Sequence, residues 1–288
     1  MSDTLQLMVG PFVACMALAA MMAYLGIHII AREVIFVDLS LAQMAALGST
    51  SALLFEVAPD SALGYAFSLS FTTLGAFIFA MTRTRSEIRR VPQEAIIGIV
   101  FVVASAAAIL VATRSPTGAE QIKDVLVGSI LWVTAGTIAK LALVFLAVGV
   151  FHWILRRRFF TISLDERAAE QQGWNMKLWD FLFYASFGLA ITMAVPVAGV
   201  LLVFTFLVVP AVIAFLFTRK VSLLLAISWG VAAVTSAAGL VISFQFDLPT
   251  GPLIVCAFGL ALLIAGVICR RCPVPRAASE AHQGAGSG

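Results

Sequence analysis

The feature that most limits what this chain can become is the spacing of its charges. Broken at charged and Pro/Gly-rich points, the 288 residues fall into apolar runs near 8–30, 38–55, 62–81, 94–113, 137–155, 179–195, 197–217, 221–243 and 250–269. Most approach the roughly 20 residues that a helix needs to cross a hydrocarbon core about 30 Å thick. A soluble fold would surround its core with about 25% charged residues. Here 11% are Asp, Glu, Lys or Arg and 61% are hydrophobic. The composition excludes a soluble domain and predicts an all-α polytopic membrane protein with about eight to nine transmembrane helices. A net charge of +3 is too small to point to nucleic acid.

Orientation follows from where the basic residues sit. Arg83, Arg85, Arg89 and Arg90 fill one connection, and Arg156, Arg157, Arg158, Arg167 and Lys177 another. Arg219, Lys220, Arg270 and Arg271 lie at two further span ends. The excess of Lys and Arg in cytoplasmic loops places all of these inside. The connections at 56–61, 196–199 and 245–250 contain neither residue and fall outside, as does 114–124 by parity despite Arg114 and Lys123. The amino terminus is thus expected outside and the carboxyl terminus inside. Residues 1–10 lack the basic flank of a signal peptide. A single transmembrane domain is expected over 1–272, followed by a disordered tail at 273–288 rich in Ala, Ser and Gly.

Two regions depart from plain spans. Residues 122–139 begin with Lys123-Asp124 and contain Gly128, Thr134, Gly136 and Thr137, the pattern of a short external or re-entrant helix that can line a cavity. Residues 185–217 are interrupted by Pro196-Val-Ala-Gly199 and by Pro210, and broken helices of this kind are frequent in transporters. Between the fifth and sixth spans, Ser163 and Glu166 have capping-box spacing, and Gly173 can close the same helix. A short helix along the membrane surface is predicted there, either a solvated connector or a docking element for something cytoplasmic. Ala104 with Ala108, and Ala261 with Ala265, have the spacing that lets membrane helices approach closely. A lone C-x-x-C at Cys269 and Cys272 is too little for a zinc site.

The residue that most needs a reason is Asp38. About seventeen uncharged residues separate it from Glu56, and a carboxylate in such a segment requires water, a partner or an ion. Gln43 lies about 140° around a helix from it, so the two could flank one cavity without sharing a stripe. Capping its own helix is the competing role for Asp38, and an interhelical hydrogen bond for Gln43. Asp124 and Asp247 fall at external ends, where they could form an acidic entrance for a cation, although Asp247 could equally cap the last span. His28 and His152 are expected as interfacial side chains near inner ends, with His28 able to meet Gln43 if their helices pack. Glu94 is expected to pair with Arg89 and Arg90 or to cap its own helix.

These pieces, in their order, resemble a known family. Phe36-Val-Asp-Leu-Ser-Leu-Ala-Gln-Met-Ala-Ala-Leu-Gly48, Glu94-Ala-Ile-Ile-Gly98, Lys123-Asp-Val-Leu-Val-Gly128, Asp165-Glu-Arg-Ala-Ala169 with Gly173, Gly199-Val-Leu-Leu-Val203, Val209-Pro-Ala211 and Asp247-Leu-Pro-Thr-Gly-Pro252 carry the likeness. The chain resembles the membrane permease subunits of the ABC-3 family, importers of zinc, manganese or iron. The resemblance implies an all-helical permease of the metal/vitamin B12-type architecture, working as a homodimer or paired with another permease in the bacterial cytoplasmic membrane. Its implied partners are a metal-binding protein outside, two ATPase subunits inside and the lipid bilayer. It also implies that Asp165, Glu166, Arg167, Ala169 and Gly173 belong to a cytoplasmic coupling helix, and that Asp38 and Gln43, with Asp124 and Asp247 at the entrance, serve metal translocation. The family pattern Gly-Asp-x-Leu-Ser-His is altered here. Aligned on Gly48, Gln43 takes the histidine's place and Asp38 falls one residue before the aspartate's, where Leu39 stands. Imidazole favours zinc, whereas carboxylate, carbonyl and water suit harder ions.

No G-x-x-x-x-G-K-[ST] loop occurs, so ATP would be used by a separate chain; G-x-S-x-G and H-E-x-x-H are absent too. The expectation is a transport subunit, not an enzyme, with no permanently bound cofactor and a divalent metal ion as cargo. The competing reading is an ion-coupled secondary transporter for a small cation, with Asp38 as the carrier of a proton or sodium ion.

Overall fold

The computed structural model describes residues 2–83, 91–115 and 118–271. The described chain is helical throughout, with α1 (Ser2–Ala31), α2 (Val37–Leu53), α3 (Ala62–Met81), α4 (Gln93–Ala112), α5 (Gly118–Val127), α6 (Ala135–Ile154), α7 (Arg156–Leu164), α8 (Glu166–Gln171), α9 (Met176–Ala198), α10 (Val200–Phe217), α11 (Val221–Phe246) and α12 (Thr250–Arg271). Eight of these are long and apolar enough to cross a membrane. The 17 residues of α2 rise about 25 Å, and this helix lies against both α3 and α4, so it reads as a ninth crossing. The expected tail at 273–288, Cys272 and the arginines at 85, 89 and 90 lie outside the described residues.

Burial sorts the helices. α1, α9 and α10 form the middle of the bundle, where Met22, Leu25, Phe183, Phe187 and Phe206 are fully enclosed. α4, α6 and α12 turn Ile99, Val102, Leu110, Leu143, Leu146 and Leu263 outward, as a hydrocarbon solvent permits. Ala104, Ala108 and Ala112 make the buried stripe of α4. Ala265 is likewise buried, in keeping with the close-packing expectation. Three helix starts carry side-chain caps: Ser61 Oγ accepts from Gly64 N at 3.1 Å, Thr134 Oγ1 from Thr137 N at 3.2 Å, and Asn175 Oδ1 from Leu178 N at 3.2 Å.

By connectivity, α1, α3 and α6 finish at one end of the bundle, the end that holds Arg32, Arg83 and Arg156–Arg158. α2, α4, α9 and α11 finish at the other. There the chain is broken twice and the breaks touch. Gly128 and Gly199 both have positive φ, 69° and 77°. A Cβ on Gly128 would lie 2.2 Å from Gly199 N, and one on Gly199 would lie 2.4 Å from Val127 C. Only glycine permits this crossing of two backbones, which is locked by Ser129 N donating to Val197 O at 3.1 Å.

The breaks correct two expectations. The helix anticipated over 122–139 is instead α5, starting at Gly118 and stopping at Gly128, followed by a 3-10 turn at Ile130–Trp132 before α6. Pro196 does not end its helix but stays inside α9, and Gly199 makes the break; Pro210 likewise stays inside α10. Asp247, expected as a possible cap for the last span, instead closes α11 in a left-handed conformation with φ 51°, with Leu248 N bonded to Ser243 O at 3.0 Å.

Candidate functional site

At the arginine-rich end, four charged side chains from four parts of the chain meet. Arg32, just past α1, places Nη1 2.8 Å from Asp180 Oδ1 on α9 and donates from Nε to Ser163 Oγ of α7 at 2.8 Å. Arg83, just past α3, donates to the other Asp180 oxygen and, through Nη2, to Glu166 Oε1 of α8 at 2.9 Å. The Asp180 side chain is wholly buried and that of Arg32 is 6% exposed. Two positive and two negative groups balance, the condition under which charges can be buried at all. Burial works against the Arg83 charge, but the Asp180 and Glu166 carboxylates outweigh it, so its pKa stands above the ordinary arginine value. The Arg32 guanidinium also lies 4.0 Å from the centre of the Phe183 ring.

The histidines join this assembly instead of standing at an interface. Both are fully buried, with ring centres 6.4 Å apart. His28 Nδ1 lies 2.9 Å from Ser163 Oγ, His152 Nε2 2.8 Å from Ser186 Oγ, and His152 Nδ1 3.2 Å from Tyr24 OH. The expected approach of His28 to Gln43 gives way to this contact with Ser163 on α7. Ser163 is therefore not the cap of the surface helix. Asp165 is: its Oδ1 accepts from Ala168 N at 3.0 Å. Ser163 is withdrawn because its hydroxyl already serves His28 and Arg32. Gly173, at φ 70°, closes α8 as expected, with Trp174 N bonded to Ala169 O and Gly173 N to Glu170 O. Ala169 is buried, while Asp165 and Arg167 are exposed. A groove of about 550 Å³ runs beside α8, lined by Arg83, Glu170, Gly173, Trp174 and Lys177 among others.

Asp38 sits in the first turn of α2, 2% exposed. The Glu94 carboxylate on α4 is near enough to act on it electrostatically. Glu94 does not cap its own helix. Its Oε1 accepts from Phe36 N at 3.0 Å and so caps α2, which has no side-chain cap of its own. Asp38 Oδ1 and Glu94 Oε2 are buried without a hydrogen-bond partner among the described residues. Unmet acceptors on two neighbouring carboxylates are uncommon in a folded protein.

Towards the opposite end, α2 lines a cavity of about 450 Å³ with α3, α9 and the α5 break. Ser49, Asp60, Tyr65, Ser68, Ser129 and Thr192 give it oxygen atoms. Asp38, Ala42, Ala45 and Ser49 fall within about 60° of one another on α2, so Asp38 shares the stripe that faces this cavity. Gln43 is half-buried and does not line it. Asp247 is exposed at the cavity's end of the bundle, and α5 carries Asp124, whose side chain lies outside the described atoms. Among the described residues no three His, Cys, Asp or Glu side chains gather into a metal cluster.

Set beside known proteins, the whole described chain finds counterparts. Residues 4–269 match the ABC 3 transport family. The chelated iron transport system membrane protein YfeC of Yersinia pestis is 29% identical over 220 residues, 74% of each chain. The manganese transport system membrane protein MntC of Listeria monocytogenes is 25% identical over 219 residues, 74% of this chain and 78% of that one. In fold, the chain is similar to PsaBC from Streptococcus pneumoniae in complex with Fab, with a TM-score of 0.74 at 19% identity over 89% of both chains. A bundle of membrane helices, matched along nearly its full length, thus belongs to the ABC 3 transport family.

Proposed function

We propose that this chain is the membrane permease subunit of an ATP-driven importer of divalent transition metal ions, acting in a bacterial inner membrane with its arginine-rich end in the cytoplasm. The observation that carries the reading is the likeness to iron and manganese transport system membrane proteins over about three quarters of the chain. The permease works as a homodimer, receives its ion from an external metal-binding protein and is driven by two cytoplasmic ATPase subunits.

In this reading the cation enters the cavity lined by Ser49, Asp60, Tyr65, Ser68, Ser129 and Thr192. Asp124 and Asp247 lie at the same end and form its acidic rim. The ion then passes along the α2 stripe to Asp38 and Glu94, whose unmet oxygens take it up briefly. Weak oxygen coordination suits transit, because a site must be left as readily as it is entered. Gln43, off the stripe, does not hold the ion on this path. Release is driven from α8. The ATPase docks on exposed Asp165 and Arg167 and in the adjoining groove, while Ala169 and Gly173 keep the helix seated. Movement of α8 pulls on Glu166, and through Arg83, Asp180 and Arg32 reaches α3, α9 and α1.

The test is uptake of radioactive manganese or iron into vesicles containing the chain with its ATPase. Uptake that needs both ATP and the ATPase is expected. Uptake without them contradicts the proposal and favours the ion-coupled reading.

A further inference from the structure

A trough of about 580 Å³ opens on the outside of the bundle between α1, α6 and α11, away from the path above. Its floor is made of small residues, Ala17 and Ala20 on α1 and Ala142 and Gly149 on α6. Trp229 and Trp153 wall it, the former tied to α1 by Nε1 donating to Ala20 O at 3.0 Å. From Ala142 to Trp153 the trough follows α6 for about 16 Å, close to one leaflet's half of a hydrocarbon core about 30 Å thick. At its arginine-rich end stands Arg156, lying over the Trp153 ring at 4.3 Å and followed by Arg157 and Arg158. Among the described residues no carboxylate pairs with any of these three arginines.

The geometry points to a binding site for one anionic phospholipid of the leaflet on the arginine-rich side, with an acyl chain in the trough and its phosphate on Arg156. An apolar slot of leaflet length ending in unpaired positive charge at the membrane surface matches that molecule in shape and in sign. A second copy fits less well. Two copies share one orientation in the membrane, so packing this face against itself would bring the Arg156–Arg158 runs together at the same height. Bound lipid would also brace the junction of α6 with α7, since Phe160 and Tyr24 line the same trough and Tyr24 reaches His152.

Native mass spectrometry of the detergent-purified chain, titrated with phosphatidylglycerol and phosphatidylcholine, tests this. The wild type should retain phosphatidylglycerol preferentially, and Arg156→Gln should cut that preference about fivefold. Gly149→Phe puts a ring into the trough from a position where a Cβ meets nothing within 4 Å. It should lower retention of both lipids. Equal retention of the two lipids by the wild type, or a preference unchanged in both variants, overturns the assignment. So does a Gly149→Phe effect confined to crosslinking between copies, which would make the trough a protein interface.

Discussion

Asp180 is the residue whose loss should cost the most. Asp180→Asn would leave the Arg32 and Arg83 guanidinium groups buried against a neutral partner. Removing one member of a buried ionic assembly costs about 3–5 kcal/mol. A lower melting temperature in detergent is expected, larger than the fall from Glu166→Gln, where the lost partner is partly exposed. Sequence reading passed over Asp180 because its partners stand 148 and 97 residues away, so no local spacing marks it. Asp38 stands out by its charge alone in an apolar run, whereas Glu94, expected to pair with Arg89 and Arg90 or to cap its own helix, is brought beside the start of α2 only by the approach of α2 to α4. Asp38→Asn should abolish metal uptake while leaving assembly with the ATPase intact, as measured by transport and co-purification. Normal uptake would reduce Asp38 to a residue of the first turn of α2.

At the scale of elements, apolar run length was a good guide, and most span bounds lie within a few residues of those expected. It failed where a helix is short and amphipathic. α5 carries Glu120, Gln121, Lys123 and Asp124, so hydropathy could not find its start. Its end depends on a tertiary contact, the crossing at Gly128 and Gly199. Gly128→Ala should be destabilising by roughly 1–3 kcal/mol from backbone strain, with more from the collision, and a lowered melting temperature checks it. The cap of α8 was misplaced for a related reason. A capping-box spacing shows which hydroxyl could cap, but not that His28 and Arg32 have already claimed it. The closing glycine was legible because its role is local.

For the molecule as a whole, the succession of spans and the existence of a short helix between the fifth and sixth could be read from charge and apolarity, while the cavity and the buried ionic assembly needed the fold. The cavity collects its oxygens from residues 49 to 192, and none of those side chains stands out in the sequence. Its oxygen lining predicts a preference for manganese or ferrous iron over zinc. Competition uptake in vesicles, with manganese reducing iron uptake more than zinc does, is the expected result.

In the proposed mechanism, movement of α8 reaches the membrane helices through Glu166 and Arg83. The direct measurement is the amount of metal carried per ATP hydrolysed by the reconstituted complex with Glu166→Gln, a change that leaves the Arg32–Asp180–Arg83 contacts in place. Hydrolysis near the wild-type rate with metal uptake reduced about fivefold or more is predicted. An unchanged ratio of metal to ATP would contradict it.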